Sequence, residues 1–116
     1  MMLFLEYPPC STCQKAKKFL DSRGAVYTDR HIKLENPTAE ELKGWHAASG
    51  LPLKKFFNTS GLAYKSLGLK DKLPAMSEEE QFALLASDGM LVKRPILVGE
   101  DFVLVGFKEE QWAERT

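Results

Sequence analysis

Cysteine is scarce in this sequence, long apolar runs are absent, and neither sign of charge is in excess. Two of the 116 residues are cysteine, which is too few for a secreted scaffold held together by several disulfides. No stretch stays apolar over the ~20 residues that a membrane-spanning helix requires. Lysine and arginine together number 16, as do aspartate and glutamate, and this balance argues against a general nucleic-acid or membrane-surface binder.

Features of a leader sequence and of a multidomain chain are also lacking. No basic residue precedes the N-terminal apolar run, and that run is shorter than the core of a signal peptide. The sequence shows no internal repeat, low-complexity tract or linker. We therefore expect a single cytoplasmic domain over residues 1–116, monomeric, with neither a membrane nor nucleic acid as a direct partner.

The apolar pattern predicts a strand, a helix and a second strand at the start of the chain. Residues 1–7 are mostly apolar and are stopped by Pro8-Pro9. Residues 10–23 carry apolar side chains at helical spacing, and residues 26–32 return to a strand pattern. Two strands joined through one helix form a βαβ unit, in which the strands run parallel.

The middle of the chain, about residues 37–90, is predicted to be helical. Capping boxes that begin at Thr38 and Ser77 mark the starts of its two longer helices. Shorter helices are predicted at 52–57 and 62–67.

The last part of the chain returns to strand and then to helix. Residues 96–98 and 102–105 flank a short loop containing Gly99, which predicts a β-hairpin, and residues 108–115 form a final helix. The parallel pair and the hairpin together predict an α/β fold: a four-stranded mixed sheet with helices packed on it and a helical segment inserted before the hairpin.

The two cysteines, in Cys10-Ser11-Thr12-Cys13, lie where the first predicted strand gives way to the first predicted helix. The unpaired N–H groups and partial positive charge of a helix N-terminus stabilise a thiolate, so we expect a lowered pKa at Cys10. Cys13 lies one turn along the helix and should be more buried. The pattern predicts a reversible dithiol–disulfide pair with Cys10 as the nucleophile and Cys13 as the resolving thiol.

The two cysteines allow two other interpretations. A CxxC pair is also half of a zinc site, but only His31 and His46 could complete it, and they are not spaced as a ligand pair. The cysteines could also be unreactive core residues. The preceding Pro8-Pro9 and the βαβ context favour the redox interpretation, and no metal is expected.

Arg94-Pro95 stands at the start of the predicted hairpin, where proline is awkward. A cis peptide or an ordinary trans proline at a strand start would each account for it, and the residues leave both open. Arg94 could supply a fixed cation for a thiolate or an oxyanion. It could equally be a solvated arginine like its neighbour Lys93.

Four segments, in order, resemble one known family. They are PPCSTCQKAKK at 8–18, FFNTSG at 56–61, KRPI at 93–96 and VGFKE at 105–109. They resemble the arsenate reductase-like family, a branch of which contains the redox regulators Spx and MgsR, and the resemblance covers essentially the whole chain. It implies a thioredoxin/glutaredoxin-like fold of the thioredoxin-like superfamily and favours the cis form at Pro95.

The resemblance also implies site residues. Arsenate reductases of the glutaredoxin-dependent class use one cysteine and three arginines, of which Cys10 and Arg94 match, whereas Asn58 and Gly106 stand at the other two positions. With two of three cations missing, a charged arsenic adduct is poorly compensated, so arsenate reduction is in doubt. The predicted catalytic residues are Cys10, Cys13 and Arg94, and the predicted substrate contacts are Ser11, Thr12, Asn58 and Pro95.

Three functions follow from the resemblance, in this order. A thiol–disulfide oxidoreductase acting on a thiol/disulfide protein or a small thiol comes first. A redox-sensing regulator that binds the RNA polymerase α subunit comes second, because the sequence ends at Thr116 without the longer basic extension of Spx. A working arsenate reductase comes third. No dinucleotide-binding motif is present, so we expect no bound cofactor and an external electron donor: glutathione, glutaredoxin or thioredoxin.

Overall fold

The computed structural model describes residues 1–116, and a four-stranded mixed sheet lies at its centre. The strands are β1 (Met2–Glu6), β2 (Tyr27–His31), β3 (Ile96–Val98) and β4 (Val103–Val105), in the spatial order β2-β1-β3-β4. β1 pairs with β2 in parallel and with β3 antiparallel, and β3 and β4 form the hairpin. The predicted α/β fold with a mixed sheet is confirmed.

Six α-helices and three short 3-10 helices make up the rest of the regular structure. The α-helices are α1 (Ser11–Ser22), α2 (Ala39–Ser49), α3 (Leu62–Ser66), α4 (Leu69–Lys72), α5 (Glu78–Ser87) and α6 (Glu109–Arg115). The 3-10 helices are Leu53–Phe56, Leu73–Ala75 and Gly89–Leu91. The sequence did not predict α4 or the last two 3-10 helices, because elements of three or four residues are too short to show a helical period.

Both predicted capping boxes form at the starts of the longer inserted helices. The Thr38 hydroxyl accepts a hydrogen bond from the N–H of Glu41 at 3.1 Å, and the Glu41 carboxylate accepts one from the N–H of Thr38 at 3.0 Å. Ser77 and Glu80 exchange the same two bonds at the start of α5. Each box satisfies backbone N–H groups that an uncapped helix end would leave without partners.

Side chains alternate across the sheet, so β1 contributes to two hydrophobic cores. Phe4 lies in a cluster of five buried residues beneath α1 and α6, the others being Ala16, Leu20, Leu97 and Trp112. Leu5 points to the opposite face and joins a cluster of 15 buried residues, most of them from the segment between β2 and β3. The inserted helices therefore cover one face of the sheet, and α1 and α6 cover the other.

None of the helices combines the length and the apolar character needed to cross a membrane.

Candidate functional site

A tight turn carries the chain from the central strand β1 to Cys10. The N–H of Cys10 donates to the Tyr7 carbonyl at 2.9 Å, and Cys10 then occupies the N-cap position of α1. The Gln14 side chain donates to the Pro8 carbonyl at 3.0 Å and ties the first turn of α1 back to this loop. Cys10 is thus fixed at the helix N-terminus, at the end of a central strand, as the sequence predicted.

Cys13 lies beneath Cys10 in the first turn of α1. Its side chain is fully buried, whereas Cys10 is half-buried, and both thiols are free. The N–H of Tyr7 donates to the Cys13 sulfur at 3.5 Å. The structure therefore brings the two sulfurs into one site with the unequal exposure that the sequence predicted.

The electrostatic environment favours the thiolate of Cys10. Burial alone would raise the pKa of its thiol. Hydrogen bonds to its sulfur from the N–H and the thiol of Cys13 and from the N–H of Thr12, together with the positive charge of Arg94, instead hold the pKa of Cys10 below its ordinary value. No other side chain caps α1, so its first N–H groups remain free to serve the sulfur.

Cys13 has the opposite preference. Burial raises the pKa of Cys13 to about 12, although the hydrogen bond from the Tyr7 N–H and the charge of Arg94 act against this rise. Negative charge on Cys10 disfavours a second thiolate beside it and so raises the pKa of Cys13 further. Near neutral pH the pair is therefore best described as a thiolate-prone Cys10 above a protonated Cys13.

Arg94 and Pro95 directly precede β3 and lie at the site. Leu5 of β1 lies opposite Ile96 of β3, and continuing this antiparallel register brings Arg94 beside Tyr7. The Arg94 guanidinium carbon lies 5.1 Å from the centre of the Tyr7 ring. The Arg94-Pro95 peptide is cis, the form that the family resemblance favoured.

Two nitrogens of Arg94, Nε and Nη1, are buried and have no hydrogen-bond partner. Buried N–H groups are almost always paired in proteins, so the chain itself leaves two donors of this guanidinium unsatisfied. Its charge also lowers the pKa of both cysteines. Arg94 is therefore not the solvated surface arginine that the sequence left open.

The remaining predicted substrate contacts differ in how close they lie to the cysteines. Ser11 and Thr12 are exposed in the first turn of α1, next to the cysteines. The Asn58 side chain is not drawn to the cysteines. The side-chain oxygen accepts a weak hydrogen bond of 3.5 Å from the Ser60 hydroxyl, and the backbone N–H of Asn58 donates to the Leu91 carbonyl at 2.8 Å. Asn58 thus stabilises a loop of the insertion and makes no hydrogen bond to Cys10 or Arg94.

Gly106, where the resemblance expected an arginine, has a structural reason to be glycine. It is buried and its φ of +77° lies in the left-handed region, which other residues rarely adopt. Its N–H donates to the Pro95 carbonyl at 2.8 Å, and its carbonyl accepts from the Trp112 indole at 3.1 Å. No cation is available from this position.

A groove of about 440 Å³ opens next to the first turn of α1, and sequence analysis did not predict it. Its charged lining is entirely cationic and is contributed by Lys55, Lys93, Arg94 and Lys108. Thr12 forms part of the wall. Of the three lysines, only Lys93 could have been connected with the site from the sequence, because it stands next to Arg94. Lys55 and Lys108 come from distant segments.

The residues of the site do not form a metal centre, since no group of three or more His, Cys, Asp or Glu side chains comes together anywhere in the structure. Each histidine packs against aromatic rings: His31 against Tyr7, on which Arg94 also packs, and His46 against Phe56 and Phe82.

Comparison with known proteins gives relatives over nearly the full length. The chain is 54% identical over 113 residues to YusI of Bacillus subtilis, covering 97% of this chain and 96% of that protein. It is 30% identical over 106 residues to the regulatory protein MgsR of the same organism, covering 91% and 82%.

Solved structures match the fold closely. An ArsC family related protein from Bacteroides fragilis superposes with a TM-score of 0.97 at 63% identity, covering 99% of this chain and 97% of that one. The arsenate reductase from Vibrio cholerae superposes with a TM-score of 0.87 at 26% identity, covering 97% and 95%. The model of the ArsC family matches residues 5–115, and the chain therefore belongs to the ArsC family.

Proposed function

We propose that this protein is a thiol–disulfide oxidoreductase whose nucleophile is Cys10 and whose resolving thiol is Cys13. The observation that carries the proposal is that the two thiols differ in exposure and that their pKa values are shifted in opposite directions. Cys10 is accessible at a helix N-terminus with a lowered pKa, and Cys13 is buried directly beneath it with a raised one. Only the thiolate attacks a disulfide, so the first attack falls to Cys10.

The reaction proceeds by two exchanges. In the first, the Cys10 thiolate attacks one sulfur of the substrate disulfide, that S–S bond breaks, and the departing thiolate takes a proton from solvent. In the second, Cys13 loses its proton to the second departing thiolate and attacks the Cys10 sulfur. The products are a Cys10–Cys13 disulfide and two substrate thiols, with two electrons transferred from the protein dithiol to the substrate.

Turnover then requires a thiol donor to reduce the Cys10–Cys13 disulfide. Glutathione, glutaredoxin and thioredoxin are the donors we propose to test. Such donors keep cysteines reduced in the cytoplasm, which is where we place the protein.

Trapping of the mixed disulfide tests this proposal. The reduced Cys13→Ser variant, mixed with a disulfide-bonded peptide and quenched in acid, should accumulate a Cys10–peptide disulfide detectable by intact mass. The Cys10→Ser variant should not, and the unsubstituted protein should end as the internal disulfide. Equal trapping on both variants, or none on Cys13→Ser, would contradict the proposal.

A redox-sensing regulator is the second candidate, favoured by the likeness to MgsR. In this case the same disulfide would act as a switch for binding the RNA polymerase α subunit. Pull-down of the purified α subunit by the oxidised and reduced protein distinguishes the two functions. Binding that depends on the Cys10–Cys13 disulfide would favour the regulator, and absence of binding in both states would favour the oxidoreductase.

Arsenate reduction is the third candidate, and we do not favour it. Arg94 stands next to Cys10, but Gly106 supplies no side chain and Asn58 is engaged with its own loop. Charge-assisted hydrogen bonds contribute about 1.5–3 kcal/mol each, so the loss of two would slow an oxyanion reaction by orders of magnitude.

A further inference from the structure

We propose that the cationic groove next to the first turn of α1 selects disulfides whose sulfur is flanked by carboxylates. The cationic groove is the space lined by Thr12, Lys55, Lys93, Arg94 and Lys108. This inference rests on the proposed thiol–disulfide exchange and adds the class of substrate. The shared chemistry is an acidic group a few atoms from the reactive sulfur, whether a protein segment or a small acidic thiol carries it.

Every charged side chain that lines the groove is positive, and none of them forms an ion pair with a carboxylate. The ion pairs of the structure use Lys17, Arg30 and Lys43, and none involves a cation of the groove. Glu109 and Glu110 line a neighbouring groove, which shares Lys108 and Gln111 with the cationic groove, and neither glutamate lines the cationic groove. The cations therefore act together on whatever enters, and a cleft lined by one sign of charge concentrates ligands of the opposite sign.

Arg94 indicates the kind of group that the groove receives. Its Nε and Nη1 are buried without a partner, and its charge acts on the Cys10 sulfur. Hydrogen bonds from a guanidinium to a carboxylate are charge-assisted and stronger than neutral ones, and Nε–H and Nη1–H lie on different edges of the guanidinium, so each takes its own acceptor oxygen. A carboxylate bound there would hold the attached sulfur close to Cys10.

Lys93 is fixed at the edge of the groove by its surroundings. Its N–H donates to the Phe56 carbonyl at 2.8 Å, and its Cε carbon lies 3.5 Å from the place where a Cβ would stand on Gly106. The glycine leaves room for the lysine stem to lie over the backbone. Lys93 and Arg94, which are consecutive in the chain, therefore both line the groove.

The size of the groove favours a peptide-sized ligand over a single small ion. Its volume of about 440 Å³ lies within the range of pockets that take molecules of several residues or rings. The charged lining residues come from three separate segments of the chain, at Lys55, at Lys93-Arg94 and at Lys108. A ligand with more than one carboxylate is needed to pair with them.

The test measures mixed-disulfide formation by the Cys13→Ser variant with three peptides. Each peptide carries the same disulfide, flanked by glutamate, glutamine or lysine, and a fourth arm uses glutathione disulfide. At low salt the rate constant should be greatest for the glutamate peptide, exceeding the lysine peptide by about tenfold, and 0.5 M salt should reduce that ratio. A glutathione disulfide rate equal to that of the glutamate peptide would identify a small thiol as a sufficient source of the acidic group.

Charge reversal in the groove provides the matched comparison. The double variant Lys55→Glu/Lys93→Glu should abolish or invert the preference for the glutamate peptide. The control is the double variant Lys65→Glu/Lys72→Glu, which changes the net charge by the same amount at exposed positions outside the groove. The control should keep the preference. Circular dichroism is used to check that both double variants fold. Equal rates for all peptides would overturn the inference and leave the proposed exchange standing, and no exchange with any peptide would overturn both.

Discussion

Arg94 is held by an aromatic ring and not by a carboxylate. Its guanidinium lies 5.1 Å from the Tyr7 ring centre, in a cation–π contact, and it lowers the pKa of Cys10. Since no carboxylate neutralises Arg94, its charge is available to the sulfur and to a ligand.

Replacing Arg94 tests this role. Arg94→Ala should raise the pKa of Cys10 and slow mixed-disulfide formation by about tenfold, which corresponds to ~1.4 kcal/mol of barrier, because the thiolate loses a positive charge that stabilises it. Arg94→Lys keeps the charge and should retain most of the rate. Stopped-flow exchange across pH measures both effects. An unchanged pH midpoint in Arg94→Ala would show that Arg94 acts on partner binding and not on the thiol.

Glu6 is a buried carboxyl on the same face of the sheet as α1. It is 3% exposed, lies 3.5 Å from the Lys17 ammonium and adjoins Asp29. Burial, with the neighbouring Asp29 adding to it, raises the pKa of Glu6 to about 7. A group whose pKa is raised on folding binds more protons in the folded state, so its contribution to stability is lost as pH rises from about 4.5 to about 7.

The Glu6→Gln variant tests this pH dependence. An amide cannot ionise but can still donate a hydrogen bond to Asp29. The free energy of unfolding of the natural protein should therefore decline between about pH 4.5 and about pH 7, and that of the variant should stay level. Each unit of pKa displacement corresponds to about 1.4 kcal/mol. Urea unfolding at several pH values decides the question, and parallel curves for the two proteins would contradict it.

The capping box of α2 links a helix end to an ion pair. Besides capping Thr38, the Glu41 carboxylate binds Arg30 through two hydrogen bonds of 2.8 and 3.0 Å. The Arg30 guanidinium, with the Thr38 N–H, lowers the pKa of Glu41 to about 2 despite partial burial. The start of the insertion is thereby attached to β2.

Thr38→Ala should lower the free energy of unfolding by about 1 kcal/mol, because the first turn of α2 loses its side-chain acceptor. Thr59→Ala, in an exposed loop where the hydroxyl makes no hydrogen bond, is the control and should change stability little. Thermal unfolding followed by circular dichroism measures both. Equal losses in the two variants would show that the cap contributes nothing specific.

An element could be predicted well when the residues that determine it lie close together in the sequence. The capping boxes at Thr38 and Ser77 are local patterns, and both helices begin where the sequence placed them. The strand-to-helix position of Cys10 was equally local. Segment Leu69–Lys72 was missed because four residues are too few to show a helical period.

The molecule as a whole has one small core and one large one, and Trp112 closes the small one. Its indole N–H donates to the Gly106 carbonyl at 3.1 Å, and its ring meets Phe4 and Phe107 edge to face. Trp112 therefore attaches α6 to the sheet and to the turn that bounds the cationic groove.

Trp112→Ala should destabilise the protein by about 3–5 kcal/mol through the cavity it leaves. Trp112→Phe keeps most of the packing and should lose less, the hydrogen bond being worth ~1 kcal/mol. Urea unfolding followed by far-ultraviolet circular dichroism measures the difference. A loss below 1 kcal/mol in Trp112→Ala would contradict the role assigned to this small core.

Properties that depend on the whole molecule were the least predictable. Lys55, Lys93 and Lys108 are distant in sequence and meet only after the insertion packs beside the hairpin. Nothing local to any of them indicates a shared groove. The Asn58 side chain accepts a hydrogen bond from Ser60 in its own loop, and its role as a substrate contact, which only the family resemblance implied, stays a prediction.

The account depends most on the unequal acidity of the two thiols. Alkylation by iodoacetamide, followed by mass spectrometry across pH on Cys10→Ser and Cys13→Ser, measures it directly. We predict that Cys10 reacts with a midpoint below the ~8.5 of free cysteine, and that Cys13 stays unreactive until far higher pH. Equal rates with both midpoints near that of free cysteine would contradict the assignment of nucleophile and resolving thiol.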